Sequence, residues 1–445
     1  MSRPEQPLPA GGHGREVVAL IEIEHTSISP VVARLLMVLF LTAITIVPIV
    51  EVVIARVGGD ESIAVAWRHL SSIPGDIRSS LAQAAGASLW QRSVEANRIA
   101  LTGLSGFERS SANESFIGRM LRPPAQIVMS RWLGVGNERV YLGRDGWLFY
   151  RQDVEYVTRP GFLDPGQIER RIAGAPEWAN PPQPDPRPAI AQMKRDLEAR
   201  GITLIVLPTP VKAVVHPEML ARRYASFNAT LQNRSYDALI ADLRRDGVLV
   251  FDPSETLAAG RRSGPQYLAT DTHWRPEAME VVAASLAEFM RTLRAPLPDG
   301  ADQGYQVERL EVRSMGDTAR MLDLPESSTL FQPEAVWLRR ILQPDRTLWR
   351  PSRDASVLLL GDSFSNIYAL ESMGWGTSAG FAEQLSYSLS APIDRLLQND
   401  QGAFATRALL QREPERLNGK RVVIYQFAAR ELIDGDWRVL PLPSP

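Results

Sequence analysis

From Leu35 to Val50 the sequence is largely apolar and uncharged throughout, and after Glu51 the apolar character resumes as Val52-Val53-Ile54-Ala55. Such a run approaches the ~20 residues needed to cross a hydrocarbon core, and it is apolar on every helix face, so it predicts one transmembrane helix over about Val31 to Ala55. A buried core helix and a cleaved signal peptide are the other readings. The 30 residues ahead of the run are long for the charged start of a signal, and no small-x-small site follows it, so an uncleaved signal anchor fits best. Arg3, Arg15 and Arg34 precede the helix while Arg56 and Arg68 follow it, an asymmetry too small to fix sidedness. Residues 1–30 mix Pro, Gly and charge without a period and predict a short tail.

From 56 to 138 the apolar positions recur at helical spacing, as at Ile117, Met120 and Leu121, predicting a helical stalk or spacer broken at Pro123-Pro124. The pattern changes near Arg139. Val140 to Leu142 and Trp147 to Tyr150 flank the turn signal Asp145-Gly146 and predict a β-hairpin. Gly174 to Pro188, dense in Pro, predicts a loop. Helical and β-branched apolar stretches then alternate: a helix over Ala189 to Ala199, a strand over Ile202 to Leu207 ended by Pro208, a helix over Tyr236 to Arg245 and a strand over Val248 to Phe251. Further strands are expected at Val357 to Leu360 and Val422 to Phe427, the last after a helix at Ala403 to Arg412. This alternation predicts an α/β doubly wound, mainly parallel sheet, whose chemistry gathers at the carboxyl ends of strands.

Composition narrows the function classes. The 445 residues include 44% hydrophobic and 22% charged residues, which suits a folded catalytic body. The net charge of −2 supplies no positive field for nucleic acid. With no cysteine, the chain has no disulfides, thiolate metal sites or thiol nucleophiles. No Gly-x-x-x-x-Gly-Lys loop points to a nucleotide.

The expected strand ending at Leu360 runs into Gly361-Asp362-Ser363-Phe364-Ser365. A serine in a tight turn between strand and helix has backbone N–H groups nearby for a developing oxyanion, as an acyl-transfer nucleophile requires. A serine nucleophile needs a base. Of the five histidines, His13 and His25 precede the apolar run, His69 lies in the stalk, and His216 sits between prolines. His273 has a carboxylate two residues away in a loop rich in polar groups, and residues i and i+2 of an extended segment share a face, so Asp271 can orient it. Gly-Asp-Ser is also a common turn, and Asp-x-His is also a metal half-site or an ordinary loop; their combination with a strand end favours a catalytic triad of Ser363, His273 and Asp271.

These stretches resemble the SGNH-hydrolase-like domain of bacterial polysaccharide O-acetyltransferases of the alginate acetylation type, AlgJ and AlgX. The resemblance rests on Gly361 to Ser365 and Asp271-Thr272-His273-Trp274. It extends to Gly143 to Phe149, the Pro208 to Pro217 loop with Lys212, and Phe427 to Leu432. It covers about 139–445, with the Asp and His ahead of the serine as in that family. It implies an acetyl-serine enzyme that passes acetyl groups to hydroxyls of an exopolysaccharide. It further implies a single-pass inner-membrane anchor, a periplasmic catalytic domain, a polytopic membrane acyltransferase as acetyl donor, and no cofactor or metal. An esterase or deacetylase using the same triad, and an inactive polysaccharide-binding or assembly protein, stand as alternatives. The Ser363 N–H is the expected oxyanion donor, with Asn366, Asn399 and Gly376 as further candidates. Lys212, Trp274, Tyr368 and Arg430 are candidates for sugar or carboxylate contact, and Trp375 for stacking, each with a bland alternative as surface charge or core.

Overall fold

The computed structural model describes residues 29–58, 62–83, 86, 88–175, 180–227, 229–293, 303–399 and 402–443; residues 1–28 of the expected tail lie outside this set. The chain divides into two units, Met1–Leu121 and Arg122–Pro445. The first is helical: α1 Pro30–Gly58, α2 Ser62–Gln83 and α3 Leu89–Glu114. Within α1, Pro30–Glu51 is long and apolar enough to cross a membrane. Glu51, the charge that interrupts the apolar run, accepts hydrogen bonds from Ser115 Oγ at 2.6 Å and from the backbone N–H groups of Phe116 and Ile117 at 3.0 and 2.8 Å. It thereby caps the next helix, α4 Phe116–Trp132, whose first N–H groups have no partner within the helix itself. The expected break at Pro123-Pro124 does not occur, and α4 runs through both prolines.

The second unit opens with the expected hairpin, β1 Val140–Leu142 against β2 Leu148–Tyr150. Asp145 and Gly146 take positive φ, the geometry a two-residue hairpin turn requires. Helix α5 Arg151–Thr158 follows. Helix α6 Pro186–Glu198 begins inside the stretch read as a loop, because a proline in the first helical turn loses no intrahelical bond and Asp185 caps it by accepting the Arg187 N–H.

Five parallel strands form the central sheet in the order β4-β3-β9-β7-β8, with β3 Thr203–Thr209, β4 Leu249–Val250, β7 Val357–Gly361, β8 Asp394–Leu397 and β9 Val422–Ala428. Every residue of β7 and β9 is buried, as expected of parallel strands covered on both faces. Strand β3 passes Pro208, which pairs opposite Phe427, and ends two residues later than expected. Between β4 and β7 the chain forms a long antiparallel ribbon, β5 Gln306–Ser314 with β6 Glu334–Leu342, outside the main sheet. The flanking helices include α7 Tyr236–Arg245, α8 Pro276–Thr292, the single turn α9 Ser363–Asn366, α10 Phe381–Leu389 and α11 Ala405–Arg412. The two central strands β7 and β9 end side by side, and Ser363 starts the turn just beyond β7.

Candidate active site

The Gly-Asp-Ser turn is built around Gln426 of β9. Gln426 Oε1 accepts the Asp362 N–H at 3.0 Å and the Ser365 Oγ–H at 2.8 Å, while its Nε2 donates to Asp362 Oδ1 at 2.8 Å and to Thr209 Oγ1 at 3.0 Å. A side chain at position 361 would collide with this arrangement, since its Cβ would lie 2.6 Å from Ser365 Oγ and 2.8 Å from Gln426 Oε1. Asp362 turns its carboxylate back onto the Phe364 N–H at 2.9 Å and the Ala428 N–H at 2.6 Å, tying the turn to the end of β9. The Phe364 N–H is therefore spent on Asp362. The Ser363 N–H is drawn into no hydrogen bond among the described residues.

Ser363 opens onto a small recess whose walls include Gln398, Asn399, Thr406, Arg430 and Glu431. Arg430 is held over it by Asp153, with Nη1 3.0 Å from Asp153 Oδ1 and the guanidinium 5.4 Å from the Tyr150 ring and 5.6 Å from the Phe364 ring. Burial works against its charge, but Asp153, Asp362 and Glu431 outweigh that and hold it above the ordinary arginine value. Asp153 is wholly buried, and burial raises its pKa despite the guanidinium. Of the three further oxyanion candidates, Asn399 lines the recess and its Oδ1 accepts Asn366 Nδ2 at 2.7 Å. Gly376 instead lies against Leu338 of β6.

The Asp271–His273 loop forms the second half of the site. Asp271 Oδ1 lies 2.7 Å from His273 Nδ1 and also accepts the His273 backbone N–H at 3.1 Å. Asp271 Oδ2 accepts Trp375 Nε1–H at 2.9 Å and the Asp317 N–H at 3.0 Å. Four N–H groups thus hold the carboxylate as an anion. Burial pushes the Asp271 pKa up, but His273 and these donors outweigh it and set it well below the usual carboxylate range. Burial likewise opposes a charged imidazole, yet Asp271, joined by Asp317, leaves His273 above the ordinary histidine value. With Nδ1–H directed at Asp271, the lone pair of the neutral ring sits on Nε2. Nε2 is buried and has no hydrogen-bond partner among the described residues.

The two halves are braced through the core. Trp274 Nε1–H donates to the Phe364 carbonyl at 3.1 Å, Tyr368 O–H donates to the Trp274 carbonyl at 2.6 Å, and the His273 and Phe364 rings meet edge to face with centroids 4.8 Å apart. These contacts bring the histidine loop onto the turn that holds Ser363. No hydrogen bond joins Ser363 to His273, and His273 is not among the walls of the recess.

Four expected sugar contacts are placed elsewhere. Trp274 and Tyr368 are completely buried, as is Trp375, whose indole serves Asp271 rather than a sugar. Lys212 is also buried, donating to the Leu148 and Ala269 carbonyls at 2.6 and 3.3 Å, and burial lowers its pKa to about 8. Nearness to the turn and loop suggested substrate contact for the aromatics, and charge suggested it for Lys212; in the fold these side chains are buried in the core. Arg430 is the candidate that reaches the recess. Asp317 was missed because nothing in its local sequence marks it. It joins Asp271 and His273 in a cluster whose ligand-type atoms lie within 4.8 Å of one another, with the carboxylate oxygens of Asp271 and Asp317 engaged by N–H and O–H donors.

The family description "SGNH hydrolase-like domain, acetyltransferase AlgX" matches residues 140–429, nearly two thirds of the chain. The chain belongs to this family. Relatives include the probable alginate O-acetylase AlgJ of Pseudomonas aeruginosa, 27% identical over 316 residues, covering 68% of this chain and 74% of that protein. That of Pseudomonas putida is 29% identical, covering 67% and 71%. Among solved structures, the O-acetyltransferase domain of Pseudomonas putida AlgJ is 24% identical with a TM-score of 0.48, covering 66% of this chain and 92% of that one. Membership of this acetyltransferase family agrees with the α/β parallel-sheet fold.

Proposed function

We propose that this chain is a membrane-anchored O-acetyltransferase that carries acetyl groups on Ser363 to hydroxyls of an alginate-like exopolysaccharide. The observation that carries this reading is the buried, unpartnered Nε2 of His273, with its ring fixed from behind by Asp271 and packed on the residue that follows Ser363. In the first half-reaction Nε2 takes the Ser363 Oγ proton as Oγ attacks the acetyl carbonyl, and the resulting imidazolium returns that proton to the departing donor. The Ser363 N–H faces the developing oxyanion. In the second half-reaction a sugar hydroxyl takes the place of serine, its proton passing to Nε2 and then back to Ser363 Oγ as the acetyl ester forms on the sugar.

The alginate acceptor follows from the names of the relatives. Placing the catalytic unit in the periplasm, anchored by α1 in the inner membrane, and taking a polytopic membrane acyltransferase as the acetyl source, are parts of the same proposal. Arg430 suits the carboxylate of a uronic acid. The test is transfer itself. Purified full-length chain in detergent, given an acetyl-ester donor and alginate oligosaccharide, should acetylate the oligosaccharide. Prompt acetate release unchanged by added oligosaccharide would mean an esterase, and polymer acetylation surviving Ser363→Ala would leave a binding or assembly role.

A further inference from the structure

Asp317 lies 46 residues beyond Asp271 in the chain, yet it meets the histidine loop at every turn. Its N–H donates to Asp271 Oδ2 at 3.0 Å, and its carboxylate accepts the Thr272 N–H and the Thr272 Oγ–H, both at 2.7 Å. Its Oδ2 stands 3.7 Å from His273 Nδ1. The flanking residues close the same seam. Thr318 Oγ–H and the Ala319 N–H both donate to the Thr270 carbonyl, and a Cβ on Gly316 would fall 2.0 Å from that carbonyl oxygen.

A loop that only needed fastening could be held by a neutral acceptor. A carboxylate here sets a second negative charge beside Asp271, and mutual repulsion makes that placement unfavourable in the absence of a cation. Buried Lys212 offsets part of it, and the imidazolium formed during acyl transfer brings a further cation against both carboxylates. The groups facing the ring are Asp271 from its own loop, Asp317 from the helix Asp317–Met321, and Arg430 from the end of β9; Asp153 lies behind Arg430, and Lys212 acts on the two carboxylates.

We propose that Asp317 is a positioning residue that grips the histidine loop through Thr272 and serves as a second counter-charge for His273 when its Nε2 holds the Ser363 proton. This rests on His273 being the base of the proposed reaction. Burial and the charge of Asp271 both raise the Asp317 pKa, in keeping with a carboxylate held against a like charge.

The test compares Asp317→Asn with Thr272→Val in the full-length chain, following the His273 ring nitrogens by nitrogen-15 NMR across pH and assigning them with His273→Gln. Asp317→Asn removes the charge and keeps an acceptor; Thr272→Val removes one bond and keeps the charge. The expected result is a fall of about one pH unit in the His273 titration for Asp317→Asn, with the acid limb of kcat/KM moving down alongside, and no movement of either for Thr272→Val. An unshifted His273 titration in Asp317→Asn would reduce Asp317 to a structural tether and overturn the proposal. Should that variant fail to fold, Asp317→Ser, which keeps a hydroxyl acceptor and loses the charge, carries the same expectation. The NMR titration needs no turnover, so it decides the role of Asp317 even if Ser363→Ala shows the acetyl-serine reading to be wrong.

Discussion

Trp375 Nε1–H donates to Asp271 Oδ2 at 2.9 Å across 104 residues of chain, so a buried indole finishes the solvation of the carboxylate that orients His273. Trp375→Phe keeps the packing and deletes the donor. A hydrogen bond to a charged group contributes about 1.5–3 kcal/mol, so kcat should fall about tenfold or more while KM for the acceptor changes little. A normal kcat in a folded Trp375→Phe protein would show that Asp271 does not depend on this donor.

Arg430 is held by a buried acid, and Asp153 Oδ2 has no hydrogen-bond partner among the described residues. Breaking such a pair by removing one member costs about 3–5 kcal/mol. Arg430→Met should therefore lower the melting temperature measurably. Arg430→Lys should recover much of the stability but leave a raised KM for an anionic oligosaccharide, because a lysine cannot reproduce a two-pronged carboxylate contact. Equal KM values for neutral and anionic acceptors in wild type and Arg430→Lys would confine Arg430 to a structural role.

Gln426 makes four hydrogen bonds that shape the serine turn. Gln426→Leu strands the Asp362 N–H, the Ser365 hydroxyl and Thr209, each unsatisfied group costing about 1–3 kcal/mol. The variant should lose several degrees of thermal stability, and what remains folded should lose acetyl transfer. Retention of both properties would contradict the assigned geometry of the turn.

The pH dependence has a definite sign. Catalysis needs neutral His273, whose folded pKa is raised, so the acid limb of kcat/KM should lie above the ordinary histidine value of about 6.5. Stability runs the other way. The stabilisation from protonated His273 is fully present below about 6.5 and is lost as pH rises through its folded pKa, while that from Asp271 is present above about 3.9 and is lost as pH falls through its depressed one. Unfolding free energies of wild type and His273→Gln across pH would check this, the wild-type advantage being greatest between those limits.

What the chain made legible was local. Val357 to Leu360 and Val422 to Phe427 are continuous apolar runs, and buried parallel strands leave that trace. Asp271 and His273 are two residues apart, so their pairing follows from strand geometry, and the fold brings them to 2.7 Å. Strand β8 was missed because Asp394 and Arg395 break its apolar pattern; Asp394 is buried against Arg416 and Arg395 pairs with Glu383. Trp375, Asp317 and Gln426 touch the site only through tertiary contacts, which no window of sequence contains. Lys212, Trp274 and Tyr368 show the converse, since neither charge nor proximity in sequence could reveal that their polar atoms are satisfied inside the core.

The central claim is that Ser363 carries the acetyl group. Full-length protein should be mixed with an acetyl-ester donor, quenched within the first turnover and digested for peptide mass spectrometry. The account predicts an acetyl adduct on Ser363 that disappears when alginate oligosaccharide is added and is absent from His273→Gln. Acetylated oligosaccharide appearing without any adduct on Ser363, or unaffected by Ser363→Ala, would contradict it.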